Sequence, residues 1–72
     1  MNGVRRGSKV SWKWGNGHGK GAVKEVYNHR VSHTFKGEEI IRNGSPDDPA
    51  ILIEQEDGDQ VLKLASEVRR AE

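Results

Sequence analysis

Ala50-Ile51-Leu52-Ile53-Glu54-Gln55-Glu56-Asp57-Gly58-Asp59-Gln60-Val61-Leu62-Lys63-Leu64 reads as two antiparallel strands joined by a tight turn. The first arm, Ala50 to Gln55, is the most apolar run in the chain, and Gln60 to Leu64 returns beside it. Between them Asp57-Gly58 is a strong two-residue hairpin signal, because such turns need residues that accept a positive φ. Alternation along the first arm does not by itself say which face is inner. The reading adopted turns Ile51 and Ile53 inward rather than Leu52.

The same grammar repeats toward the N-terminus. Val31-Ser32-His33-Thr34-Phe35 alternates, and Lys36-Gly37 turns it into Glu38-Glu39-Ile40-Ile41-Arg42. Lys20 to Tyr27 is a strand in which period two fails, since Val26 lies three residues after Val23; a bulge near Lys24-Glu25 follows. Lys9-Val10-Ser11-Trp12-Lys13-Trp14 alternates strictly, with Val10, Trp12 and Trp14 on one face. Gly15 to Gly19 reads as a loop by composition, and residues 1–8 as a polar, mobile tail. Ser45-Pro46-Asp47-Asp48 has the makings of one helical turn, and Ser66 of the cap on a short terminal helix starting near Glu67. Val10, Trp12, Val23, Val26, Ile51, Ile53, Leu62 and Leu64 form the expected core.

Many short strands in only 72 residues predict an all-β fold. A two-sheet sandwich of immunoglobulin size needs more chain. The expectation is a small, bent, antiparallel barrel of about five strands with a short C-terminal helix, formed by residues 9–72 as a single domain. With no cysteine, disulfides and thiolate metal sites are excluded. Arg5 and Arg6 lead into Gly7, Ser8 and Lys9 with no apolar run, so no leader is read at Met1 and a cytoplasmic protein is expected. No stretch is long and apolar enough to span a membrane, and no membrane partner is expected.

Charge is divided along the chain. Residues 1–36 hold eight Lys and Arg against Glu25 alone, while residues 37–72 hold four against ten Asp and Glu, for a net charge of +1. Either the fold keeps a basic and an acidic surface apart, or it interleaves the halves and neutralises them.

The segments Lys9 to Gly15, His33-Thr34-Phe35-Lys36-Gly37, Arg42-Asn43, Asp47-Asp48-Pro49-Ala50 and Asp57-Gly58-Asp59 through Glu67 resemble the hypervirulence-associated protein Tudor-domain family. The resemblance covers nearly the whole chain after Ser8 and implies an SH3-like Tudor barrel. It implies no activity. Tudor readers of methylated Lys or Arg use a cage of aromatic rings, which attract the cation by its charge. By the resemblance Trp14 takes the first cage position, and the remaining positions fall near Gly19, Glu54 and Asp57, which are not aromatic.

The resemblance also sets Trp14 beside Glu54, Asp57 and Asp59, an acidic mouth with one indole. Carboxylates form charge-assisted bonds to Arg or Lys and the ring adds a stacking platform, so a cationic peptide or protein loop is the leading partner. Trp14 packed in the core, and an acidic turn serving only solubility, are the bland alternatives. A competing reading takes Lys13, Lys20, Lys24 and Arg30 as a nucleic-acid surface on the first two strands and just beyond them. Its weak points are a pI of about 8.1, modest for such a domain, and an acidic hairpin that would repel phosphate. A third reading is self-association through exposed strand edges, with a monomer as the default.

His18, His29 and His33 match no zinc spacing, and Glu56 to Asp59 lacks the spacing of a calcium loop. Gly15 to Gly21 has no GK[ST] ending, so it is no phosphate loop. With no nucleophile–base set and little room for a pocket, a non-catalytic module without cofactor or metal is expected.

Overall fold

Strands form where apolar and polar residues alternate, and the computed structural model, which describes residues 4–71, contains seven of them. They are β1 (Lys9–Trp14), β2 (Gly17–Tyr27), β3 (Arg30–Phe35), β4 (Glu38–Asn43), β5 (Ala50–Gln55), β6 (Gln60–Leu64) and β7 (Arg69–Arg70). Five make one antiparallel sheet in the order β6-β5-β2-β1-β7, and β3 and β4 make a separate hairpin. The two edges of the large sheet, β6 and β7, share no ladder, so the sheet bends without closing. Part of that bend comes from the expected bulge: Val23 pairs with Ile53, Glu25 with Leu52, and Lys24 is the extra residue.

β5 decides how the layers pack. Ala50, Ile51 and Ile53 are fully buried and Leu52 is 8% exposed, so both faces of the strand are covered. Ile51 and Ile53 pack inward with Val10, Trp12, Val23 and Val68. Ala50, Leu52 and Leu62 pack outward, with Tyr27, Val31, Phe35 and Ile40 against them. Choosing between the isoleucines and Leu52 is therefore unnecessary: a strand buried on both sides is apolar throughout. The β3–β4 hairpin is what covers its outer face. Val26 and Leu64, expected in the core, are only half-buried at its margin.

Turn chemistry mostly follows the sequence. Lys36 and Gly37 both carry positive φ, 53° and 83°, as a two-residue type I′ turn requires. The β5–β6 turn differs. Only Gly58 is left-handed there, with φ 92°. Its N–H donates to the Gln55 carbonyl at 2.9 Å, and the Gln55 N–H donates to the Asp59 carbonyl at 2.7 Å. The loop is thus a three-residue turn with a bulge at Gly58, not a two-residue one.

The C-terminal helix is reduced to one 3-10 turn, Ala65–Glu67. Ser66 does not cap it. Its N–H and hydroxyl instead donate to the Asp48 carboxylate at 2.8 and 2.7 Å. Val68 then returns to extended backbone, buries its side chain, and sends Arg69–Arg70 along β1 as a short added strand. Ser45 does cap Asp48, whose N–H donates to the Ser45 hydroxyl at 3.1 Å, yet the segment bends without forming a helical turn.

Residues 4–8, which composition alone reads as a tail, lie against β2. The Gly7 N–H donates to the Val23 carbonyl at 2.8 Å, and the Val23 N–H donates to the Ser8 carbonyl at 2.9 Å. Ser8 is buried and Val4 packs on the core. Residues 1–3 of the expected tail lie outside the described residues. Among those described, no helix is long and apolar enough to cross a membrane.

Candidate binding surfaces

The β1–β2 hairpin sets the first surface. Its register opposes Trp14 to Gly17, Trp12 to Gly19 and Val10 to Gly21. Three glycines at alternate positions strip the inner face of β2 of side chains, and the indoles occupy that space. A Cβ on Gly19 would lie 2.4 Å from a ring carbon of Trp12, so Trp12 sits directly on the glycine backbone. Trp12 is buried, whereas Trp14, whose ring rests over Gly17, is 61% exposed. The glycine-rich segment read as a loop is therefore mostly strand. Glycine at every second residue, facing every second aromatic, was the signal for it.

The turns after β1 and β5 lie at the same end of the sheet, because both strands run antiparallel to β2. The acidic residues beside them are dispersed. Glu54 faces outward and meets Lys24 at 3.5 Å. Asp59 meets Lys36 at 3.5 Å. The Asp57 carboxylate accepts the Asp59 N–H at 2.9 Å, shaping its own turn. Glu54 borders a groove with Lys9, Lys20 and Glu56, while Asp59 borders another with Phe35, Lys36 and Glu38. Trp14 lines neither. Both ion pairs join the basic half of the chain to the acidic half. They are exposed, so each contributes little to stability, about 0–1 kcal/mol.

A denser charge cluster lies on the outer face of β2, β1 and β7. Ser11 is its hub: Lys20 lies opposite on β2 and Arg69 opposite on β7. Lys9 and Lys13 flank Ser11 two residues away on the same face of β1. Each arm of this cross lies diagonally to the next, at about 7–8 Å between backbones. All four cations are exposed, and none makes an ion pair among the described residues. His18, opposite Lys13, adds an imidazole at one corner. Three carboxylates share its grooves, Glu54 and Glu56 with Lys9 and Lys20, and Glu67 with Lys13 and Arg69. Glu54 is held by Lys24, and Glu67 by Arg42 at 3.3 Å. Of the basic residues expected in one surface, Lys13 and Lys20 belong to this cross. Lys24 is paired at its edge and Arg30 stands on the separate β3–β4 hairpin. Lys9 and Arg69 complete the cluster; Arg69 joins it only through the pairing of β7 on β1.

A family model for the Tudor domain of hypervirulence associated proteins matches residues 7–68 of the chain. The chain belongs to this family. No curated protein and no solved structure is significantly similar to it. In this Tudor domain the positions that the resemblance assigns to an aromatic cage hold Trp14, Gly19, Glu54 and Asp57, and Gly19 serves as the seat of Trp12. The other aromatic rings gather elsewhere, against the β3–β4 hairpin. His33 stacks on Phe35 with ring centroids 5.8 Å apart, and its Nε2 lies 3.3 Å from the Tyr27 hydroxyl. His29 Nδ1 lies 2.8 Å from the Arg30 carbonyl oxygen. His33 and His29 thus have structural partners. Among the described residues no three His, Asp or Glu side chains gather as a metal site would need.

Proposed function

We propose that this Tudor domain is a binding module for nucleic acid, gripping the phosphate backbone with Lys9, Lys13, Lys20 and Arg69. The observation that carries the reading is the cross of four unpaired cations around Ser11 on the uncovered half of the sheet. Like charges on neighbouring positions of a sheet repel one another. A row of phosphates relieves that repulsion, and the release of counterions adds to the binding. The Ser11 hydroxyl has no partner among the described residues and stands at the centre of the cross, able to donate to a phosphate oxygen.

The measurement is fluorescence anisotropy of a labelled oligonucleotide across a salt series. Four phosphate contacts on a single strand should give a log–log salt slope of roughly −3. The K13E/K20E double variant, altered only at exposed positions, should bind at least about tenfold more weakly, with a slope shallower by about 1.4. Binding that ignores both salt and these substitutions would count against the reading.

The exposure of Trp14 favours a second reading, in which a cationic peptide binds the indole together with Glu54, Asp57 and Asp59. Against it, Glu54 and Asp59 already have internal cations. An Arg-rich peptide that shifts the Trp14 indole N–H signal in the wild type but not in D57N/D59N would establish it.

A further inference from the structure

We infer that the nucleic acid is single-stranded and that its bases stack on Trp14 while its phosphates lie on the cation cross. This rests on the reading of the basic face given above.

The geometry of the β1–β2 tip points to it. The ladder between β2 and β5 ends at Gly21 and Gln55, and the ladder between β1 and β7 covers only Val10 and Ser11. Lys13, Trp14 and the first residues of β2 therefore project as a two-stranded ribbon with no further strand on either side. By alternation this ribbon presents Lys13, His18 and Lys20 on one face and Trp14 on the other. It is only one strand-layer thick, and Lys13 and Trp14 are consecutive residues. A single nucleotide strand that rounds the end of this ribbon passes directly from the lysine face to the indole face.

Trp14 is suited to act as a platform. One side of its ring rests over Gly17 and the rest is open, so little ordering is needed when a base arrives. Base–aromatic stacking is sequence-tolerant because every base has a π-face, and basic strands with an exposed aromatic are its usual setting. A duplex keeps its bases stacked within itself and leaves none for an indole set on the opposite face from the lysines.

The test compares three probes of equal length: oligo(dT), an abasic deoxyribose-phosphate oligomer, and duplex DNA. Each is titrated into the wild type, W14A and K13E/K20E, whose folding is checked by circular dichroism. Oligo(dT) should bind the wild type about 5- to 100-fold more tightly than the abasic oligomer. W14A should erase that gap while keeping the affinity for the abasic probe, and K13E/K20E should weaken all three. Equal binding of oligo(dT) and the abasic oligomer, or a W14A variant that preserves the gap, overturns the stacking of bases on Trp14 and leaves the basic face standing. Tighter binding of the duplex overturns the single-stranded assignment. Binding of none of the probes overturns the basic face itself.

Discussion

Gly19→Ala should destabilise the domain by about 1–3 kcal/mol, the range for overpacking a filled interior. One methyl group rarely costs so much in a strand, where alanine has a small conformational advantage over glycine. Here the added Cβ would fall 2.4–2.7 Å from three atoms of the Trp12 ring. Trp12 cannot swing aside, because it is buried against Val10, Val23, Ile51, Ile53 and Val68. The strain must be taken up by separating β1 from β2 or by forcing the indole off its rotamer. A thermal melt followed by circular dichroism should drop by on the order of 10 °C. Gly17→Ala is the control: its Cβ meets the Trp14 ring at 3.5 Å, an ordinary contact, and stability should hardly change. Equal effects at the two positions would mean that Trp12 is not seated on Gly19.

Ile53→Ala should cost on the order of 2–5 kcal/mol, a large share of what so small a domain possesses. Ile53 is fully buried and faces Val23 across the β2–β5 ladder, at the centre of the inner cluster. Removing its branched end leaves a cavity within the cluster of Val10, Trp12, Val23, Ile51 and Val68, whose strands cannot close on it without breaking the ladder. Chemical denaturation gives the free energy directly. Leu52→Ala, on the other face of the same strand, should instead loosen the β3–β4 hairpin, and hydrogen exchange should quicken at Val31–Ile40 more than at Val10–Trp12. An Ile53→Ala protein with unchanged denaturation would show that the inner cluster is not the stabilising core.

The site was legible unevenly. Lys13 and Lys20 are basic residues on neighbouring strands and could be nominated from their positions. Lys9 carries no local signal of its own, because a lysine at a strand start is ordinary. Arg69 was hidden because the terminal segment reads as helix. One 3-10 turn and the burial of Val68 made it a strand instead, which carries Arg69 next to Ser11. Alternation gives Trp12 and Trp14 the same face, and their depth along the strand is what assigns Trp12 to the core and Trp14 to a surface, as the structure has them. Their fates differ because Trp12, over Gly19, still reaches the inner cluster, while Trp14, two residues further out and over Gly17, does not.

Local chemistry was enough for β1, most of β2 and β3 to β6, the bulge at Lys24, the turn at Lys36-Gly37, the place though not the type of the turn at Gly58, and the all-β class. Each depends on residues within a few positions of one another, through side-chain alternation, branched side chains and tolerance of positive φ. Tertiary structure alone decided which strands became neighbours. It put β5, not β3, beside β2, left β3 and β4 as a hairpin covering the outer face of Leu52, and laid β7 along β1. Those choices rest on burying Ile51 and Ile53 on one side and Leu52 on the other. That requirement joins residues far apart in the chain, and no local pattern expresses it. The cation cross around Ser11 is its consequence: the half of the sheet that the hairpin does not cover is where Lys9, Lys13, Lys20 and Arg69 meet.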